Sequence, residues 1–425
     1  MKVLIISHLP MATQNNMGKT FLSLFSGFEK SELCQLYIYP SFPDVDRCSS
    51  YYRVTDKEVL SSVIKGKTPG GEIEKSFISE SQGLYEKAKD ESFYRNKKNK
   101  SAVRRLLRDA MWRLGRWYNK NLENWLKKEK PDCIFVAPGA AMFIYDIAIK
   151  ISRRLNIPII TYICDEYYFV SEPSGILEKT RLCLLKSKIK ELMKKSSGLA
   201  VICDELKQDY EKEFGIAAKT VMTGTSYPIS ESIKVLENPK TICYFGNIRC
   251  NRYVSLGEIG KALDSINEKY KTDYVLKIYT SEKDPEIIGS FGGIKSVELC
   301  GFVTGKEFEK AFYASDILLH TEAFDKDSMD FVRHSVSTKI ADSLGSGILL
   351  FAYGPENISS MQHLIRNNCA MVASSKEELE EMLIKAFSDH DERKKVAEKA
   401  LETAKIYHDS ENSGKMLREF FKETI

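Results

Sequence analysis

Ser337-Thr-Lys-Ile-Ala-Asp-Ser-Leu-Gly-Ser-Gly347, continued by the apolar run Ile348-Leu-Leu-Phe-Ala-Tyr-Gly-Pro355, reads as a capped short helix, a glycine-punctuated stop and a buried strand. Ser337 is a good N-cap, because its hydroxyl accepts an N–H that the first helical turn leaves without a partner. The remaining free N–H groups, at the positive end of the helix dipole, form a natural phosphate site. Ser337, Thr338 and Lys339 make up that turn, and Lys339 adds a point charge. Asp342, one turn on, would accept hydrogen bonds from the hydroxyls of a ribose. A phosphate site and a diol acceptor on one helix imply a nucleotide or a nucleotide-sugar.

The surrounding sequence repeats one rhythm. Thr241 to Phe245 is a short apolar run, followed by Gly246-Asn247, Arg249 and Arg252, and then a helical pattern from Ser255 to about Tyr270. Tyr274 to Tyr279 and Val297 to Phe302 read as strands, Lys306 to Ala314 as a helix, and Asp316 to His320 as a strand. The N-terminal half opens in the same way. Lys2 to Ser7 is a buried-strand run, His8 to Asn16 a loop, and Gly18 precedes a helical pattern through Phe21, Leu24, Phe25 and Phe28. Gly18-Lys19-Thr20 is not a phosphate-binding P-loop, since the first glycine of that motif would fall at Thr13. Gly18 instead suits a close backbone approach to a ligand or to a neighbouring element. Strands at Cys34–Tyr39, Pro131–Ala137, Ile159–Ile163 and Gly198–Cys203 alternate with helices as far as Met222. Residues 44–93 read as an irregular insertion, and 224–239, with two prolines, as a linker.

Two successive runs of alternating strand and helix in 425 residues predict an α/β protein of two doubly wound Rossmann-like domains facing a cleft, spanning 1–225 and 226–425. The last helix, about 411–425, is placed to pack back on the N-terminal domain. Ten scattered cysteines without a CxxC pair read as reduced thiols. The apolar start is too short for a signal peptide, and no run is long enough to span a bilayer. A cytoplasmic protein is expected. The six histidines show no ligand spacing, so no metal is expected.

The net charge of +4 conceals an uneven distribution. Residues 95–130 carry thirteen basic and three acidic side chains, a net of +10 that leaves −6 for the remainder. All three tryptophans, Trp112, Trp117 and Trp125, lie there. Val103, Leu106, Leu107, Ala110, Met111 and Leu114 recur at helical spacing, with Arg104, Arg105, Arg108 and Arg116 largely on the other side. Such a helix either sits on an anionic membrane or is a domain helix with a solvated basic face. Nucleic acid is the poorer partner, because no recognised module accompanies the patch.

Four stretches resemble nucleotide-sugar-dependent glycosyltransferases of the twin-Rossmann B fold, nearest the large retaining family of bacterial polysaccharide and lipid-linked sugar transferases. They are Tyr244–Arg249, Val297–Val303, Phe312–Leu319 and Ser337–Gly347. The resemblance implies a ribose-binding role for Asp342 and a diphosphate-gripping role for Arg249. It also implies approach of the Gly18 loop to the donor phosphate and of the backbone at Val303 to the nucleobase. His334 stands where the family often carries a first Glu, and the Lys usual after Arg249 is missing, leaving Arg252 or Lys339 to supply its charge. Glu322 and Asp325 are the nearest alternative carboxylates. Asp165, at a strand end, is either an acceptor-binding base or a helix cap. His334 and His8 are either site residues or structural.

The resemblance implies metal-independent transfer of a sugar from a UDP- or GDP-linked donor to a glycan or lipid-linked acceptor, in bacterial surface polysaccharide synthesis, with no cofactor beyond the donor. The alternatives are a non-catalytic partner of an active transferase, favoured by His334, and a nucleotide-sugar epimerase.

Overall fold

The computed structural model describes residues 1–13, 15–78, 102–171, 173 and 175–425. The chain forms two compact units, Met1–Thr223 with Ser413–Ile425, and Gly224–Asn412.

In the first unit the strands are β1 (Val3–Ser7), β2 (Leu33–Tyr37), β3 (Ser50–Arg53), β4 (Gly71–Glu72), β5 (Cys133–Val136), β6 (Ile159–Ile163), β7 (Ser196–Val201) and β8 (Ala218–Thr220). They join in the order β4-β3-β2-β1-β5-β6-β7-β8, parallel except for the antiparallel β3–β4 edge. Helices on both faces explain why β1, β2, β5 and β6 are buried along their whole length and not alternately, Gln35 and Thr161 included. Phe25 meets Phe135 edge-on at 5.0 Å in the core. Phe28 does the same with Phe421 of the helix Ser410–Thr424, at 5.8 Å.

The second unit is a six-stranded parallel sheet. Its strands are β9 (Thr241–Phe245), β10 (Val275–Tyr279), β11 (Val297–Gly301), β12 (Ile317–Thr321), β13 (Leu350–Tyr353) and β14 (Met371–Ala373). The order β11-β10-β9-β12-β13-β14 reverses between β9 and β12, as in the doubly wound dinucleotide-binding fold. In the first unit the same reversal falls between β1 and β5.

Three expectations change. Within 44–78 the chain is ordered as β3, the helix Asp56–Lys65 and β4; 79–93 lies outside the described residues. Its polar composition hid β3, whose Tyr51 and Tyr52 are both buried. The stretch 224–239 is tied to the second unit: Ser230 N–H donates to Gly345 O at 2.8 Å and Lys234 N–H to Gly347 O at 2.7 Å.

The third change concerns the basic segment, of which 95–101 lies outside the described residues. Trp112 is fully buried, stacked on Phe143 at 4.3 Å, and donates Nε1–H to Asp56 at 2.6 Å. Trp125 is buried and donates to Ser50 Oγ at 2.9 Å, and Trp117 is buried too. The tryptophans are therefore core, not interfacial anchors. On the helix Ala102–Leu114 the faces are mixed: Arg108 turns inward to Asp56 at 2.9 Å, while Leu107 and Leu114 are 64% and 73% exposed and Arg104 is exposed as expected.

Candidate functional site

A cavity of about 90 Å³ opens in the second unit at the carboxyl ends of β9 and β12, where the strand order reverses. In doubly wound sheets ligands bind at this switch point. Its wall includes Tyr244, Phe245, Arg252, His320, Glu322, Ser337, Lys339 and Asp342. Ser337 caps the helix Thr338–Gly345, its Oγ accepting from Lys339 N–H at 3.3 Å.

Lys339 makes no ion pair among the described residues, and its ammonium lies over the Tyr244 ring at 5.9 Å. Its ammonium lies so close to Gly246 that a Cβ there would come within 1.7 Å of Nζ. Gly246 also has φ +146°, a backbone that side-chain-bearing residues rarely adopt. Loss of hydration, then repulsion from Arg252, brings the Lys339 pKa down to about 8, against the pull of Glu322.

Arg252 is already neutralised. It forms a bidentate pair with Glu322, Nε to Oε2 at 2.7 Å and Nη2 to Oε1 at 2.8 Å. Glu322 is 4% exposed, and burial raises its pKa while Arg252 and Lys339 hold it down. The structure thus separates the two candidates for the missing lysine's charge: Arg252 shares it with a carboxylate in a bidentate pair, and Lys339 makes no ion pair among the described residues.

Asp342 Oδ1 accepts the Ser226 N–H at 2.6 Å, which fixes the carboxylate against the pocket wall. The aromatic side of the cavity is formed by Phe245, Phe308 and Phe312. Phe245 stacks on Tyr279 at 4.5 Å, and Phe308 on Phe312 at 5.4 Å.

His320 was not among the residues expected from sequence. It is 8% exposed, lies at the end of β12 in the cavity wall, and its Nε2 has no hydrogen-bond partner among the described residues. Burial, then Arg252 and Lys339, lower its pKa to about 3, so it is neutral at physiological pH. Its place one residue before the end of an apolar strand was the only sequence signal.

The remaining candidates lie elsewhere. Arg249 is held on Glu282, at 2.6 and 3.2 Å, and does not line the cavity. Neither do Val303, on the loop after β11, nor Thr338. His334 is buried between the helices Lys326–Val332 and Thr338–Gly345, outside the cavity wall. Asp325 caps the helix Lys326–Val332, accepting from Ser328 N–H at 3.0 Å. In the first unit, Gly18 sits inside the helix Asn16–Leu24, where a Cβ would lie 2.2 Å from Ala12 O; its close approach is to a neighbouring element. Asp165, after β6, lines a separate cavity with His8. Among the described residues no three His, Cys, Asp or Glu cluster as a metal site, and no helix is long and apolar enough to cross a membrane.

Two doubly wound units, the second with an aromatic-walled pocket at its switch point, define a twin-Rossmann fold of the GT-B type. Solved structures bear out that fold. Sucrose-phosphate synthase from Thermosynechococcus elongatus superposes with a TM-score of 0.60 at 9% identity, covering 100% of this chain and 99% of that one. HepE of Anabaena, in complex with UDP-glucose, gives 0.58 at 11% identity, covering 100% of each. WaaG, a glycosyltransferase of lipopolysaccharide biosynthesis, gives 0.55 at 15% identity, covering 98% and 99%. No family model and no curated protein matches by sequence.

Proposed function

We propose that this protein is a glycosyltransferase that transfers a sugar from a nucleotide-sugar, UDP-linked in the first instance, to a glycan or lipid-linked acceptor of bacterial surface polysaccharide synthesis. The Lys339 ammonium packed against Gly246, on a capped helix at the switch point, carries this reading. A leaving nucleoside diphosphate develops negative charge as the glycosidic bond breaks, and a fixed cation in a partly dehydrated pocket stabilises it better than water does. Lys339 and the positive end of the capped helix supply that stabilisation without a metal. Asp342 takes the ribose, the aromatic wall faces the base, and neutral His320 meets the donor as a hydrogen-bonding group. Glu322 holds Arg252 in place and is not the attacking group. HepE, with the same fold, was solved with UDP-glucose.

Work in the cytoplasm fits ten cysteines that are all free. Docking on the inner membrane face rests on the exposed stripe Val103, Leu107 and Leu114, flanked by the exposed Arg104 and Arg113. Apolar side chains between arginines match an anionic lipid interface. Flotation with phosphatidylglycerol vesicles tests it: Leu107→Glu should abolish co-flotation, and wild-type protein that stays at the bottom rules docking out.

A thermal-shift screen with UDP, GDP, ADP and CMP on wild type and Asp342→Ala tests the central reading. A nucleotide at a hundredfold its Kd stabilises by about 2.7 kcal/mol. A shift with one nucleotide, weakened in the variant, supports it, followed by donor hydrolysis or transfer. Binding without turnover of any donor would mean a non-catalytic partner, a product formed without acceptor an epimerase, and no shift at all would end the reading.

A further inference from the structure

The first unit holds a second built pocket. A cavity of about 290 Å³ lies at the carboxyl ends of β1, β5 and β6, walled by His8, Arg105, Arg108, Asp109, Asp165 and Arg181 among others. This is the switch point of the first sheet, between β1 and β5.

Three guanidinium groups converge there, each anchored on one side. Arg105 is held by Glu178 at 2.5 Å, Arg108 by Asp56 at 2.9 Å, and Arg181 donates Nη2–H to Ala140 O at 2.6 Å. Each keeps another N–H buried and without an acceptor among the described residues: Nε of Arg105, Nη2 of Arg108 and Nε of Arg181. Arg181 is 7% exposed. Buried polar groups in folded proteins are almost always satisfied, so three orphan cationic donors on one cavity indicate a ligand's oxygens.

Of the three guanidiniums, Arg105 and Arg108 are paired with the carboxylates of Glu178 and Asp56, and Arg181 is paired with none among the described residues. Burial lifts Asp109 to about 6, despite Arg181, and burial also raises Asp165. Asp109 Oδ1 is itself an orphan acceptor beside Arg181. A ligand that satisfies all four atoms offers an oxyanion to the arginines and a hydroxyl to Asp109.

We infer that this pocket binds an acceptor carrying an oxyanion, phosphoryl or carboxylate, on a hydroxyl-bearing skeleton, with Arg105, Arg108 and Arg181 on the oxyanion and Asp109 on a hydroxyl. As an acceptor subsite it rests on the glycosyltransferase reading; as an anion site it does not.

Isothermal titration of the full chain, without nucleotide, tests it with glucose 6-phosphate, glucuronate, inorganic phosphate and glucose. Glucose 6-phosphate or glucuronate should bind at least about tenfold more tightly than glucose, and whichever is the tighter names the oxyanion. Arg181→Gln should weaken that binding about tenfold or more, with Arg181→Lys recovering part of it. Far-UV circular dichroism and the unfolding midpoint confirm that each variant is folded. Equal affinity for glucose, no binding of either anionic sugar, or binding unchanged in folded Arg181→Gln overturns the inference. Anion binding by a protein that ignores every nucleotide would leave this pocket standing and remove the glycosyltransferase reading.

Discussion

Lys339 and Gly246 form a pair in which each residue explains the other. The ammonium occupies the space a Cβ at 246 would fill, so Gly246→Ala must displace it. Titration with the nucleotide found in the screen should show at least about tenfold weaker binding in this variant; unchanged affinity would mean that Lys339 does not touch the ligand. The second prediction follows from the same residue. With its pKa near 8, Lys339 is charged below that pH and neutral above it. A diphosphate binds the ammonium form, so binding above pH 8 requires uptake of a proton. Affinity should therefore fall from pH 7 to pH 9 in wild type and stay nearly flat in Lys339→Arg, because guanidinium remains charged throughout. A wild-type profile as flat as the variant's would contradict the assignment.

At the scale of elements, the helix Thr338–Gly345 and the strand β13 were legible because local chemistry and tertiary role agree. Ser337 caps, the apolar run after Gly347 is buried, and Gly347 ends the turn with φ +77°. The helix Asp204–Phe214 was equally plain, stopped by the left-handed Gly215. Where the reading failed, long-range contacts outweighed local pattern. Ser50–Arg53 is a strand because its tyrosines are covered by distant elements. On the helix Ala102–Leu114, Asp56 and Glu178 draw arginines inward, and no periodicity within the helix reports those partners. His320 escaped notice for the same reason: its significance lies in what Arg252 and Glu322 do around it. Gly347 also yields a prediction at this scale. A Cβ there would lie 2.4 Å from Ser232 O, on the segment that pairs with Gly347 and Ile348 just before β13. Gly347→Ala should lower the unfolding free energy by about 2 kcal/mol, from left-handed strain and displacement of that segment. Urea denaturation measures it, and a loss below about 0.5 kcal/mol would show that the segment yields freely.

At the scale of the whole molecule, the chain returns to its first unit for its last residues. Ser413–Ile425 belongs to that unit, where Leu417, Phe420 and Phe421 are buried and Ser413 Oγ donates to Met222 O at 3.0 Å. Burial of such a side chain contributes roughly 1.5–3 kcal/mol, so three of them amount to much of a typical domain's net stability. The second unit's core, built on residues such as Leu263, Ile278, Phe351 and Leu383, contains none of these residues. A chain ending at Asn412 should therefore lose the first unit selectively. Hydrogen exchange followed by mass spectrometry should show β1, β2 and β5 exchanging far faster than in the full chain, while β9, β10 and β12 keep their protection. Nucleotide binding should survive in the truncated chain, since every residue of the Lys339 pocket lies in Gly224–Asn412. Equal loss of protection in both units would mean that they unfold as one cooperative body, with the terminal helix supporting both.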